Sequence, residues 1–200
     1  MYELPTSITI EDRQYQIAEN GDYRMVLNCF KELSDTETSE DENVLACLII
    51  FYNEFTDLED IPQDKETLKQ LISEMCKFFN CGQEETVGAN SSEKLIDWEG
   101  DSNIIIPAIN NVAHVEIRAL PYLHWWTFMG YYMSVGESVL STVVSIRNKL
   151  NKGKELEKWE KDFKRDNPQY FNWKKRSKEQ LDLDEYVRSI WNNEEGMNNG

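Results

Sequence analysis

Apolar residues follow the two-residue strand period only at the start of the 200-residue chain. "SITI" (Ser7–Ile10) and "QYQI" (Gln14–Ile17) alternate, and "EDR" between them is a short polar turn, which predicts a β-hairpin. An isolated hairpin is marginal in water, so this one needs something to pack on. The helical period takes over afterwards. Tyr23, Val26, Leu27 and Phe30 recur at i, i+3, i+4 and i+7 and predict a helix to about Leu33, with Asn20 as its N-cap. Ser39 with Glu42 three residues on is a capping-box signal. It opens a helix to about Phe55 that contains "VLACLIIFY" and should be deeply buried. Asp64 can cap a third helix to about Phe79 with an inner stripe of Leu68, Leu71, Ile72, Met75 and Phe79, and Cys81-Gly82 is a natural stop.

The segment 82–94, "GQEETVGANSSEK", is polar and is the best internal boundary. Beyond it, Asp101 or Ser102 can cap a helix to about Val112, although Pro107 interrupts its hydrogen bonding. "LPYLHWWTFMGYYMSVGES" predicts a helix from about Pro121 to Ser134, with Pro121 at the first helical position. Six of the eleven residues from Tyr122 to Tyr132 are aromatic, and no charge falls between Arg118 and Glu137. A helix that is apolar nearly all round is normally buried. "ESVLSTVVSIRNKL" predicts another helix, with Val139, Leu140, Val143, Val144 and Leu150 inward. In "KELEKWEKDFKRD", Leu156, Trp159 and Phe163 form a narrow seam at i, i+3 and i+7. Glu157–Lys161 and Glu160–Lys164 are spaced for pairing along its surface, and Pro168 closes it. A last helix from about Lys178 to Trp191 places Leu183, Tyr186, Val187, Ile190 and Trp191 on one side.

These elements predict a mainly α fold: a helical domain with a short N-terminal β-hairpin and an amphipathic helical C-terminal tail. Residues 1–81 form an acidic half of hairpin and three helices. Residues 95–150 form an aromatic-rich half of the same domain, and 151–200 a basic amphipathic tail.

Charge sharpens this picture. The formal net charge is −16. Residues 1–100 carry 23 acids and 7 bases, residues 101–200 carry 14 of each, and residues 147–178 carry 12 bases and 5 acids. The acidic half repels nucleic acid and anionic membranes and suits a basic partner. "KKRSK" (Lys174–Lys178) near Phe171 and Trp173 is too short to outweigh that, and a protein or intramolecular contact is expected for it. The uncharged run Ala119–Gly136 is broken by Pro121, His124, Thr127 and Ser134, a poor pattern for a membrane span. The opening residues lack the features of a signal peptide, and the cytoplasm is the expected location. Cys29, Cys47, Cys76 and Cys81 read as reduced thiols acting as small hydrophobes, since no second Cys or His pair completes a zinc site around Cys76 and Cys81.

Candidate chemistry is sparse. Asp97, Glu99 and Asp101 lie close together in "DWEGD", and such carboxylates can do acid–base work or hold a divalent cation. The plainer reading is an acid-rich helix start, which the helix dipole favours. His114 and His124 are the two histidines. Neither falls in a zinc motif, and His124 beside two tryptophans reads as a packed ring with satisfied nitrogens. Nucleotide-loop and nucleophile-elbow motifs are absent from the sequence. No cofactor and no catalytic residue are expected.

Three stretches in order carry a resemblance: "LIDWEGDSNIIIPAINNV", "YLHWWTFMGYYMSVGES" and "STVVSIRNKLNKGKELEKWEKDF". The family's hallmarks are D-[WY]-E-x-D, L-H-W-W-x-F and a later I-R. Here they are Asp97, Trp98, Glu99 and Asp101; Leu123, His124, Trp125, Trp126 and Phe128; and Ile146 and Arg147. On these the chain resembles the bacteriophage Gp-fifteen family of siphophages and prophages. The resemblance implies a protein of the tail gene cluster, a non-enzymatic tail assembly chaperone. Its partner would be the tape measure protein, a long helical chain with apolar seams, and possibly the neighbouring tail assembly chaperone. Trp125, Trp126, Phe128, Leu156, Trp159 and Phe163 are then the candidate partner-binding residues. The competing readings are a minor structural component of the tail and a metal-dependent enzyme using Asp97, Glu99, Asp101 and His124.

Overall fold

The computed structural model describes residues 3–35, 37–83 and 95–171. It is mainly helical, with a two-stranded antiparallel hairpin at its start. The described residues form two compact units. One comprises residues 3–83 together with 124–126, the other residues 95–123 and 127–171.

In the first unit β1 (Ser7–Ile10) pairs with β2 (Arg13–Gln16), Ile10 opposite Arg13. The turn is thus two residues, Glu11 and Asp12, and not three; Glu11 reaches a φ of 52° to make it. The alternation places Ile8, Ile10, Tyr15 and Ile17 in the core. Three helices follow: α1 (Tyr23–Glu32), α2 (Glu40–Phe51) and α3 (Lys65–Phe79). The Ser39–Glu42 capping box and the Asp64 cap form as predicted. Two boundaries differ. The cap of α1 is Asp22, which accepts from the Arg24 N–H, while Asn20 sits in a left-handed turn at φ 52°. The second helix stops at Phe51, because Tyr52 turns extended to bridge Ile17 and donates its hydroxyl to the Leu71 carbonyl at 2.8 Å.

The core of this unit is aromatic. Phe51 meets Tyr52, Phe78 and Phe79 edge-on at 4.8, 5.3 and 5.6 Å, an arrangement the ring quadrupoles favour. Cys29 and Cys47 are fully buried on α1 and α2, and each thiol points at the other's backbone carbonyl. All four cysteines are free thiols, and burial pushes that of Cys29 well up.

In the second unit α4 (Ser102–Ala113) packs on α6 (Val139–Asn151). Ile104, Ile105, Ile106 and Ile109 of α4 are buried with Leu140, Val143 and Ile146 of α6. Each fully buried aliphatic side chain contributes about 1.5–3 kcal/mol. Pro107 is tolerated inside α4 because it is exposed, as is Asn103, whose carbonyl loses its donor to water. The inward set predicted for α6 is partly wrong: Val139 and Leu150 are exposed, while Ile146 and Arg147 are buried. A short α7 (Lys158–Asp166) ends in the turn Pro168–Tyr170. Its Glu160 is buried and pairs with Lys149 of α6 at 2.6 Å, not with Lys164. One carboxylate oxygen takes that ion pair and the other caps the Glu157 N–H.

The aromatic helix α5 runs from Trp125 to Met133 and does not begin at Pro121. His124 is drawn into an extended bridge with Asp22, so the chain cannot turn helical before it. Among the described residues no helix is long and apolar enough to cross a membrane. The helix predicted for 178–191 and the "KKRSK" segment lie outside the described residues.

Candidate functional site

Two of the three hallmark stretches meet inside the second unit. Asp97 and its neighbours form a tight turn: the Asp97 carboxylate accepts from the Glu99 and Gly100 N–H groups, each at 3.2 Å, and the Asp97 N–H donates to Asp101 Oδ2 at 2.9 Å. Asp101 precedes α4, yet its side chain caps nothing there. It turns to Arg147 and binds it in two-pronged fashion at 2.6 and 2.9 Å, with both side chains about 95% buried. Arg147 also donates twice to the Tyr170 carbonyl and once to that of Leu95. Five bonds match the five N–H groups of a guanidinium. An arginine suits this position because its fork is flat and fixed, which a lysine cannot imitate. The backbone acceptors Leu95 and Tyr170 carry no sequence signal, since any residue supplies a carbonyl.

Trp98 stacks obliquely on Phe128 and Tyr132 at 6.0 and 5.2 Å. Burial raises the Tyr132 hydroxyl, with Asp101 adding to the effect. Glu99 is exposed. Leu123, Phe128 and Ile146 are buried.

The remaining hallmark residues build a second cluster, in the first unit. His124 is 1% exposed. Its Nδ1 accepts the Trp126 N–H at 3.0 Å, capping the start of α5. That leaves the ring proton on Nε2, which donates to the Pro5 carbonyl at 3.0 Å. Burial holds the imidazole below its ordinary value, opposed by the Pro5 carbonyl and by Asp22. Gly21 lies against this ring at φ 78°; a Cβ there would stand 2.9 Å from Nε2 and 2.8 Å from the Phe78 ring. Only glycine fits both the conformation and the space.

The two tryptophans finish α3. The indole N–H of Trp126 donates to the Phe78 carbonyl and that of Trp125 to the Phe79 carbonyl, both at 2.9 Å. Meanwhile the Gly82 N–H returns to Lys77 and the Cys81 N–H to Phe78, a Schellman ending with Cys81 left-handed at φ 56°. Helix ends leave carbonyls without partners, and here side chains distant in sequence supply them. Trp126 is half-buried and packs against Gly82, where a Cβ would stand 3.0 Å from its ring.

The family model described as Bacteriophage Gp15 protein matches residues 1–172. The chain belongs to that family. No curated protein and no solved structure matches it. The matched span contains every hallmark residue and all of α7.

In this family member, the expected partner-binding residues separate by burial. Trp125 and Phe128 are in the core at 1% and 0% exposure, which corrects their assignment to a contact surface: rings of that size complete the fold. Leu156 and Phe163 are half-buried, Phe163 against Phe171 at 6.3 Å. Trp159 is 53% exposed, with its indole N–H held by Glu157 at 2.9 Å. Beside this helix lies a concavity of about 540 Å³ whose lining includes Leu150, Leu156 and Phe171. Lys154, Lys161 and Lys164 also line it, and among the described residues their ammonium groups make no hydrogen bond or ion pair.

The carboxylate reading fares differently. Among the described residues no group of three or more His, Cys, Asp or Glu is placed to hold a metal ion. Asp97 serves its own turn, Asp101 serves Arg147, and both nitrogens of His124 are engaged.

Proposed function

We propose that this phage protein works by binding, as a tail assembly chaperone. It holds the tape measure protein in soluble form while the tail is built in the host cytoplasm, with the neighbouring tail assembly chaperone as a further partner. The observation that carries this reading is the apolar pair Trp159 and Phe163 on α7, with Leu156 just before the helix, inside the family-matched span, where Trp159 stays half out in water. An exposed indole next to a helical seam is what an amphipathic partner helix needs to dock. The net charge of −16 supports the same role, because it would keep a complex with an apolar chain dispersed. A binding role is favoured over a catalytic one because Asp97, Asp101 and His124 are spent on internal hydrogen bonds.

Co-expression with fragments of the tape measure protein tests the proposal. The expected result is that fragments insoluble alone become soluble and co-purify with this chain. Failure of every fragment to do so would overturn it. Mass spectrometry of purified virions should find the protein missing; its stoichiometric presence would point to a structural tail component instead.

A further inference from the structure

The concavity beside α7 has a complement elsewhere on the same molecule. Its lining joins apolar side chains to the ammonium groups of Lys154, Lys161 and Lys164, which have no partner among the described residues. Arg165, also in the lining, is already engaged by Asp162 and Asp166, so the three lysines are its available charge. A fitting occupant presents one apolar side chain ringed by carboxylates.

The first unit carries such a group. The turn Leu58–Asp60 projects Leu58 into water at 58% exposure, among the most exposed large apolar side chains of the described residues. Asp57, Glu59 and Asp60 flank it. The Thr56 N–H and hydroxyl bind the Asp60 carboxylate and hold it below its ordinary range, so it stays charged. Asp57 caps the turn through the Glu59 N–H, which fixes how Leu58 is presented. Leaving a leucine exposed gains nothing for the fold, whereas a cavity of 540 Å³ has ample room for it.

We propose that two copies of this chain associate head to tail, the Leu58 knob of one entering the lysine-lined concavity of the other. Such a contact is heterologous: in a pair, one copy keeps a free concavity and the other a free knob, so assembly continues until a ring closes or the chain of copies runs out. The interface is small, so the association is weak, with a Kd on the order of micromolar or above.

Sedimentation equilibrium of the full chain tests this. At about 0.15 M salt, where the overall like charge is screened beyond about 8 Å, the mass should rise with protein concentration. It should rise less at about 1 M salt. Leu58→Asp removes the knob, and the pair Lys161→Glu with Lys164→Glu reverses the concavity; each should weaken self-association at least about tenfold. The decisive step is to mix the two variants. One still has a concavity and the other a knob, so they should form a one-to-one pair that grows no further. Leu58→Ala with Lys164→Ala offers the same mixture with milder changes should a charged variant fold poorly by circular dichroism. A wild-type chain monomeric at every concentration would overturn the proposal. So would variants that associate as well as wild type, or a mixture that stays monomeric.

Discussion

At the scale of single residues, the molecule spends its most reactive side chains on holding itself together. Arg147 and Asp101 show the balance. Removing two charges from water costs several kcal/mol per ion, and their pairing offsets this only if every donor finds an acceptor. Five hydrogen bonds on Arg147 meet that condition. Removing one partner therefore leaves a buried charge uncompensated. Arg147→Met or Asp101→Asn should each cost about 3–5 kcal/mol in urea unfolding. The double variant should cost less than the sum of the two by about 1–3 kcal/mol, since it no longer strands either charge. His124 makes a second prediction. Its folded value lies below the usual 6.5, so the unfolded chain binds the proton more readily. Its contribution to stability is complete above about pH 6.5 and is lost as pH falls from there towards the folded value. The urea midpoint should drop between about pH 7 and about pH 5, and His124→Gln, though less stable throughout, should flatten that part of the curve.

At the scale of elements, what was legible in the sequence is what depends on neighbours a few residues away. The Ser39–Glu42 box and the Asp64 cap lie within one helical turn of the groups they satisfy, so short spacing revealed them. Ser39→Ala should therefore cost about 1 kcal/mol, read as a shift in thermal midpoint with no change in the folded signal. The C-terminal end of α2 and the start of α5 were not legible. Tyr52 leaves its helix for Ile17 and Leu71, and His124 resists helix for Asp22 and Pro5. Those partners are 19 to 119 residues away. The hydrogen bonding of the two tryptophans was not legible for the same reason. An aromatic run announces burial, but nothing local says that its indole N–H groups close the end of another helix.

At the scale of the whole molecule, function rests on what remains exposed once these internal ties are made. Trp159 is the clearest such group on α7, and it contributes little to the fold at 53% exposure. Trp159→Ala should change stability by no more than about 0.5 kcal/mol while lowering recovery of tape measure fragments in co-purification. Loss of recovery with an unchanged melting curve would place the binding surface on α7; unchanged recovery would move it elsewhere. The uneven charge acts at this scale too. An acidic first half and a basic stretch near the end place opposite charges along one chain, which suits the proposed head-to-tail association.

The sequence alone determined the helical character, the hairpin, the capped starts of α2 and α3 and the family, because periodicity and rare motifs are local properties of the chain. Tertiary structure decided the meaning of the hallmark residues. Arg147 sits in the middle of an amphipathic helix, where a charge would ordinarily be assigned to the wet face. It points inward because Asp101, Leu95 and Tyr170, each more than 20 residues away, together supply what water would have given it. A buried charge is tolerable only where the fold delivers acceptors to every donor, and that delivery is invisible until the chain is folded.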